Sequence, residues 1–216
     1  MSEIPNTLQI RHLGLCDYSS VLDKMLDFST RRSEQTVDEI WLLQHKPVYT
    51  LGKNAKQHHV LNSGDIPVIA VDRGGQVTYH GPGQLIAYLL LDVKRKKLGV
   101  RQIVTAMENA VINTLAGLYI EAVARPNAPG VYVNDEKIAA LGLRIKNGKS
   151  YHGLSLNIDM DLSPFLGINP CGYEGMQVTQ VKNLINDYSI EEIKKNIVTS
   201  LSNELAYDQI IDSGNG

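Results

Sequence analysis

Glu136-Lys137-Ile138-Ala139-Ala140-Leu141-Gly142-Leu143-Arg144-Ile145-Lys146, then Asn147-Gly148, then Tyr151-His152-Gly153-Leu154-Ser155-Leu156-Asn157-Ile158-Asp159, reads as a long β-hairpin. Asn-Gly supplies the two positive-φ residues of a tight hairpin turn at little steric cost, and it is the strongest short hairpin signal in the chain. Residues 151–159 alternate as the partner strand, and 136–146 form a β-rich run with Gly142 inside it. Just upstream, Pro126 to Gly130 is a turn cluster, and Val131-Tyr132-Val133 starts another hairpin closed near Asn134-Asp135.

Further upstream, an apolar run from Ile66 to Val71 leads into Asp72-Arg73-Gly74-Gly75-Gln76, followed by Val77-Thr78-Tyr79. His80-Gly81-Pro82-Gly83 then breaks the regularity before a second apolar run, Leu85 to Leu91. The plain account is two hairpins with turn glycines. Adjacent glycines beside a fixed cation and two polar tips, on turns between apolar strands, also describe a place where a ligand approaches backbone.

The remaining elements follow from periodicity. Residues 7–13 alternate as a first strand, and a helix runs from a cap at Asp17 or Ser19 to about Arg32, with Val21, Met25, Leu26 and Phe28 as its apolar stripe. Residues 39–45 and 48–52 read as strands around Lys46-Pro47, and 53–65 as a polar loop with one helical turn. Val100, Ile103, Val104, Met107, Ala110, Val111, Thr114 and Leu115 define a helix ending near Gly117, and 120–124 another strand. After Asp161 the chain turns irregular through Asn169-Pro170-Cys171-Gly172-Tyr173. Ser189 with Glu192 makes a capping box for a helix bearing Ile190, Ile193, Ile197, Leu201 and Leu205, and the polar tail after Asp208 is expected to fray. Strand blocks grouped around a few helices, with no linker, indicate one α+β domain over 1–216 with its core at about 7–205.

The totals narrow the function. Of 216 residues 43% are apolar and 20% charged, with a net charge of −2, which argues against binding nucleic acid through bulk positive charge. No apolar stretch approaches the length of a membrane span, and Met1 to Asn6 shows no signal-peptide pattern. The two distant cysteines, Cys16 and Cys171, suit free thiols and a cytoplasmic location. Lys94-Arg95-Lys96-Lys97 is a solvated loop on the plain account and a docking patch for an acidic partner on the functional one.

Cys171 lies between a proline and a glycine rather than in an apolar run, a setting that can expose sulfur to a ligand. A thiolate at neutral pH needs a nearby cation, and Lys137, in a strand pattern, is the candidate. Cys16, at a strand-to-helix junction without an adjacent cation, is read as structural. His80 and His152 each adjoin glycine and could serve as acid, base or ligand, or merely satisfy a local hydrogen bond. No spacing resembles a zinc site, a phosphate loop or a hydrolase elbow.

Taken together, Arg73 to Gln84, Lys137 to Ile145, His152 to Asn157, and Asp161-Leu162-Ser163-Pro164-Phe165 with Asn169 to Tyr173 closely resemble the lipoyl(octanoyl) transferases of lipoate biosynthesis. The resemblance covers roughly residues 7 to 205 and implies the biotin/lipoate protein ligase catalytic-domain fold, a mixed, largely antiparallel sheet flanked by helices. It makes Cys171 the nucleophile that becomes an acyl-thioester and Lys137 the residue that activates it. The acyl pocket would be lined by Arg73, Gly74, Gly75, Gln76, Val77, Thr78, Tyr79 and His80, by Ala140, Leu141 and Gly142, and by Gly153, Leu154 and Ser155. Serine is frequent in the family where Ala140 stands, and alanine where Ser155 stands, so the two departures touch pocket polarity only. Implied partners are octanoyl-acyl carrier protein as donor, with lipoyl-acyl carrier protein a second possible donor. The implied acceptors are apo lipoyl domains of 2-oxoacid dehydrogenase complexes and the glycine cleavage H protein. No cofactor, metal or ATP is implied, and a monomer is expected. The rival accounts are an ATP-dependent lipoate or biotin ligase on the same fold and a non-catalytic module that binds acyl groups or carrier protein.

Overall fold

The computed structural model describes residues 6–215, apart from the side chains of Ser213 and Asn215. Eight strands form one sheet in the order β11-β1-β2-β6-β10-β9-β8-β7. They are β1 (Thr7–Cys16), β2 (Asp38–His45), β6 (Gln84–Leu90), β7 (Val123–Ala124), β8 (Val131–Val133), β9 (Glu136–Lys146), β10 (Lys149–Asn157) and β11 (Gln209–Asn215). Only β1 with β2 and β1 with β11 run parallel, so the sheet is mixed and largely antiparallel. A smaller sheet, in the order β4-β3-β5, comprises β3 (Val48–Leu51), β4 (Val68–Ala70) and β5 (Val77–His80).

Both faces of the central strands are covered, which is why β2 and β6 read as nearly unbroken apolar runs. Ile40, Leu42, Leu85, Ala87 and Leu89 point to one core, which they share with helices α2 (Val100–Ala116) and α4 (Ile190–Glu204). Their sequence neighbours Trp41, Leu43, Ile86, Tyr88 and Leu90 point to the other face, against Val21 and Met25 of α1 (Tyr18–Arg31). Ser189 caps α4 by accepting from the Glu192 N–H, as the capping box predicts. A short helix α3 (Val181–Leu184) lies between the segment that carries Cys171 and α4.

The hairpin 136–159 forms as read, with Lys146 paired to Lys149 across Asn147-Gly148. At its centre Gly142 pairs with Gly153. A Cβ on Gly153 would lie 2.1 Å from the Ala87 carbonyl oxygen, so this residue lets β10 close onto β6.

Three expectations change. The stretch 66–92 is not a pair of hairpins: β5 pairs with β3 in the small sheet, while β6 lies between β2 and β10 in the large one. His80 to Gly83 therefore carries the chain from one sheet to the other. The polar tail does not fray, because Gln209–Asn215 adds as a parallel edge strand to β1. Leu26, placed in the apolar stripe of α1, is 37% exposed, and the stripe rests on Tyr18, Val21 and Met25. Among the described residues no helix is long and apolar enough to cross a membrane.

Candidate active site

Lys137 stands at the start of β9 and is buried. Its Nζ donates to Cys171 Sγ at 2.8 Å and to the Pro129 carbonyl at 3.1 Å, and it lies 5.2 Å from the centre of the Tyr132 ring. Gly130, with φ of 143°, makes room for it: a Cβ there would meet Lys137 Cε at 2.8 Å and Nζ at 3.0 Å. The main chain of Lys137 is fixed as well, its N–H bonding to the Gln177 carbonyl and its carbonyl accepting from the Thr179 N–H. Burial pulls the Lys137 ammonium down, but the adjacent Cys171 sulfur, by charge and hydrogen bond, and Tyr132 more than offset this, so its pKa is raised. This direction favours the ammonium form of Lys137 beside the Cys171 sulfur.

Cys171 sits in a single 3₁₀ turn, Pro170–Gly172, in a left-handed conformation with φ of 57° and ψ of 15°. Non-glycine residues seldom adopt this region, and such outliers concentrate at functional sites. The turn is anchored by the Asn169 N–H on the His59 carbonyl.

A polar chain supports the pair from behind. His80 Nδ1 bonds Gln84 Oε1 at 2.7 Å, Gln84 Nε2 donates to Asn157 Oδ1, and Asn157 Nδ2 donates to the carbonyl of Thr179, the residue paired with Lys137. Gln84 Nε2 also donates to the Tyr79 carbonyl, so Oε1 is its acceptor and His80 Nδ1 carries the proton. Burial first, then repulsion from His45, hold the His80 pKa well below its usual value, which leaves the ring neutral.

A narrow slot leaves Cys171 between the α1-side face of the large sheet and the small sheet. It is lined by Arg73, Gly75, Gln76, Val77, Thr78, His80, Ala140, Leu141, Gly142, Gly153, Leu154 and Ser155. Two of the residues expected there are elsewhere. Tyr79 alternates to the opposite face of β5 and packs on Tyr49 and Phe165. Gly74 lines a second cavity that also touches Cys171. The expected fixed cation is present: Arg73 is buried, its Nε and Nη2 donating to Thr50 Oγ1 and its Nη1 to the Gly74 carbonyl.

Sequence reasoning missed the far end of the slot, formed by Tyr18, Ile86 and Tyr88, and left His152 without a place in its lining. Tyr88 donates to His45 Nε2 at 2.7 Å, while His45 Nδ1 bonds the Cys16 carbonyl at 3.2 Å. These residues carry no local pattern that distinguishes them from core aromatics. Cys16, expected to be structural, donates to the Leu13 carbonyl at 3.1 Å. The cationic run is partly consumed by the fold. Arg95 pairs with Asp38 at 2.7 Å, and Lys96 bonds Asn6 Oδ1 and lies 4.0 Å over the Tyr207 ring.

Residues 19–202 match the model of the lipoyl protein ligase A/B catalytic domain. Among similar proteins, the octanoyltransferase of Shewanella halifaxensis (strain HAW-EB4) is 55% identical over 95% of this chain and 94% of its own. That of Vibrio cholerae serotype O1 is 55% identical over 95% and 94%. Among solved structures, a lipoate-protein ligase A bound with ATP superposes with a TM-score of 0.76 at 16% identity, covering 94% of this chain and 86% of that one. A biotin protein ligase from Aquifex aeolicus gives 0.53 at 12% identity, covering 94% and 70%. The structural likeness fixes the fold, the α+β arrangement shared by lipoate and biotin ligases. The sequence likeness, at more than half identity along nearly the whole chain, places it more narrowly: the chain belongs to the octanoyltransferase family of acyltransferases.

Proposed function

We propose that the protein transfers an octanoyl group from octanoyl-acyl carrier protein, through a thioester on Cys171, to a lysine ε-amine on lipoyl domains of 2-oxoacid dehydrogenase complexes and the glycine cleavage H protein. It acts as a single-domain monomer in the cytoplasm. The observation that carries this reading is the 2.8 Å contact between Lys137 Nζ and Cys171 Sγ at the mouth of the slot. An adenylate-forming ligase activates a free acid and has no need of such a pair.

The Cys171 thiolate, held by the Lys137 ammonium, attacks the thioester carbonyl carbon. A carbon–sulfur bond to Cys171 forms, and the bond to the carrier sulfur breaks. Charge develops on the carbonyl oxygen beside the same ammonium, which stabilises it. The departing carrier thiolate takes a proton from Lys137, now a neutral amine. The acceptor lysine then gives a proton to Lys137, and its neutral amine attacks the acyl-Cys171 carbonyl. The amide forms, Cys171 leaves as thiolate, and the second amine proton passes to solvent. Thioester to amide runs downhill, so no ATP enters. His80, neutral and committed to Gln84 through Nδ1, positions the lysine-bearing segment rather than carrying protons. At about 0.8 kcal/mol per buried methylene, seven carbons beyond the carbonyl contribute roughly 5 kcal/mol in the slot.

The test is intact mass after mixing with octanoyl carrier protein alone, without ATP. One added octanoyl group mapping to Cys171, and its disappearance on adding apo lipoyl domain, are expected. No adduct, or transfer that requires ATP, would sink the reading.

A further inference from the structure

A carbonyl bound to Cys171 cannot send both of its thioester substituents into one slot. While the acyl chain occupies the slot, the arm that delivered it must leave the sulfur in another direction. A second cavity, of about 300 Å³, opens from Cys171 on the other side of Gly75, Gln76, Leu141 and Gly142, which line both spaces. Its outer wall is one face of α2: Val100, Val104 and Met107, at i, i+4 and i+7, span about 10 Å of helix at 1.5 Å per residue. Burial is graded along that wall. Val100 is 57% exposed, Val104 is half-buried and Met107 is fully buried, so the cavity runs from solvent at the helix start toward the interior. Leu143 of β9 faces it from the sheet.

We infer that this cavity holds the thiol-terminated, amide-bearing arm of the acyl donor, an arm of the pantetheine class; the inference rests on the transferase reading above. Three features select such an arm over a second hydrocarbon chain. The cavity opens to solvent at Val100, as a tether to a macromolecule requires, whereas an acyl tail needs a closed end. Gln76 Oε1, between the two cavities, is buried without a hydrogen-bond partner and offers an acceptor to an amide N–H. Lys97 and Arg101, exposed and without an ion pair among the described residues, flank Val100 in sequence, and suit the phosphodiester that ends an arm of this class. The cationic run, half spent on the fold, thus contributes Lys97 to the outer end of a channel.

The experiment compares two donors of the same acyl group: S-octanoyl-pantetheine and the octanoyl thioester of 2-mercaptoethanol, which lacks the arm. Acylation of Cys171 is followed by intact mass in the wild type, Val104→Trp and Val100→Trp. The wild type is expected to prefer the pantetheine thioester in kcat/KM, and each variant to lose about tenfold or more of that preference. A wild-type ratio near one, or a ratio that neither variant changes because both donors slow together, overturns the assignment; the second pattern would place the acyl chain in the cavity. Val100 is at the surface, so its variant carries the test if Val104→Trp does not fold. Failure of both thioesters to acylate wild-type Cys171 would instead refute the transferase reading.

Discussion

The contact between Lys137 and Cys171 depends on a residue that performs no chemistry. Gly130 has no Cβ, and the Lys137 stem occupies the space one would fill. Gly130→Ala must displace Lys137 or strain a backbone at φ of 143°. Its cysteine acylation is expected to slow by about 10²-fold or more, the range of a lost acid or base. Far-UV circular dichroism should remain that of the wild type; unchanged acylation would show that Lys137 is not needed at its present position. Cys171 and Lys137 were legible in the sequence because Pro-Cys-Gly is an unusual setting for a thiol and because four motifs occur in family order. Tyr18 and Tyr88 were not, since an aromatic residue in a buried strand or helix looks the same whether it faces a ligand or a core.

Among elements, the β9–β10 hairpin shows two glycines with different duties. Gly153 is needed by the sheet, because its missing side chain admits the Ala87 carbonyl of β6. Gly142, its partner across the ladder, faces Arg73, where a Cβ would lie 3.0 Å from Cδ. Gly153→Ala is therefore expected to lower stability by about 1–3 kcal/mol through overpacking. Gly142→Ala meets Arg73 Cδ and, at 3.2 Å, the Gly74 carbonyl, a milder crowding than the one at Gly153 and one that falls on residues lining the two cavities, so its larger effect should fall on acylation. Urea melts of the two variants beside their acylation rates check this, and equal stability loss in both would contradict it. The hairpin itself was readable because its turn and alternation are local. The destination of β5 and the edge strand β11 was not. Each depends on a partner far away in sequence, β3 for one and β1 for the other, and local polarity says nothing about such pairing.

At the scale of the whole molecule, the interior beneath the slot is built on neutral imidazoles. Burial, partly offset by the bond to the Cys16 carbonyl, lowers the His45 pKa to about 4. Burial, partly offset by Asp72, does the same to His152. In the unfolded chain both titrate near 6.5. Below that pH the unfolded state binds protons that the folded state refuses, so their contribution is complete above about pH 6.5 and is lost as pH falls toward 4. The slope is up to about 1.4 kcal/mol per pH unit for each ring. The thermal midpoint should therefore drop between pH 7 and pH 5, and His45→Gln should flatten the dependence. A midpoint independent of pH over that interval would mean that these rings are not buried neutral.

The passage of the chain from the small sheet to the large one at His80 to Gly83 has a mechanical consequence. Lys137 belongs to the large sheet, whereas the turn bearing Cys171 is gripped by His59 and lies against Gln76, beside the small one. The sulfur–nitrogen contact thus works as a caliper set across two plates. Its opening is governed by how the segment that leads to Cys171 is held on the small sheet, through Tyr49 and Tyr79 packed against Phe165 and Ile168 on the face turned away from the slot. Natural variation in that packing can retune the nucleophile while leaving both members of the pair unchanged.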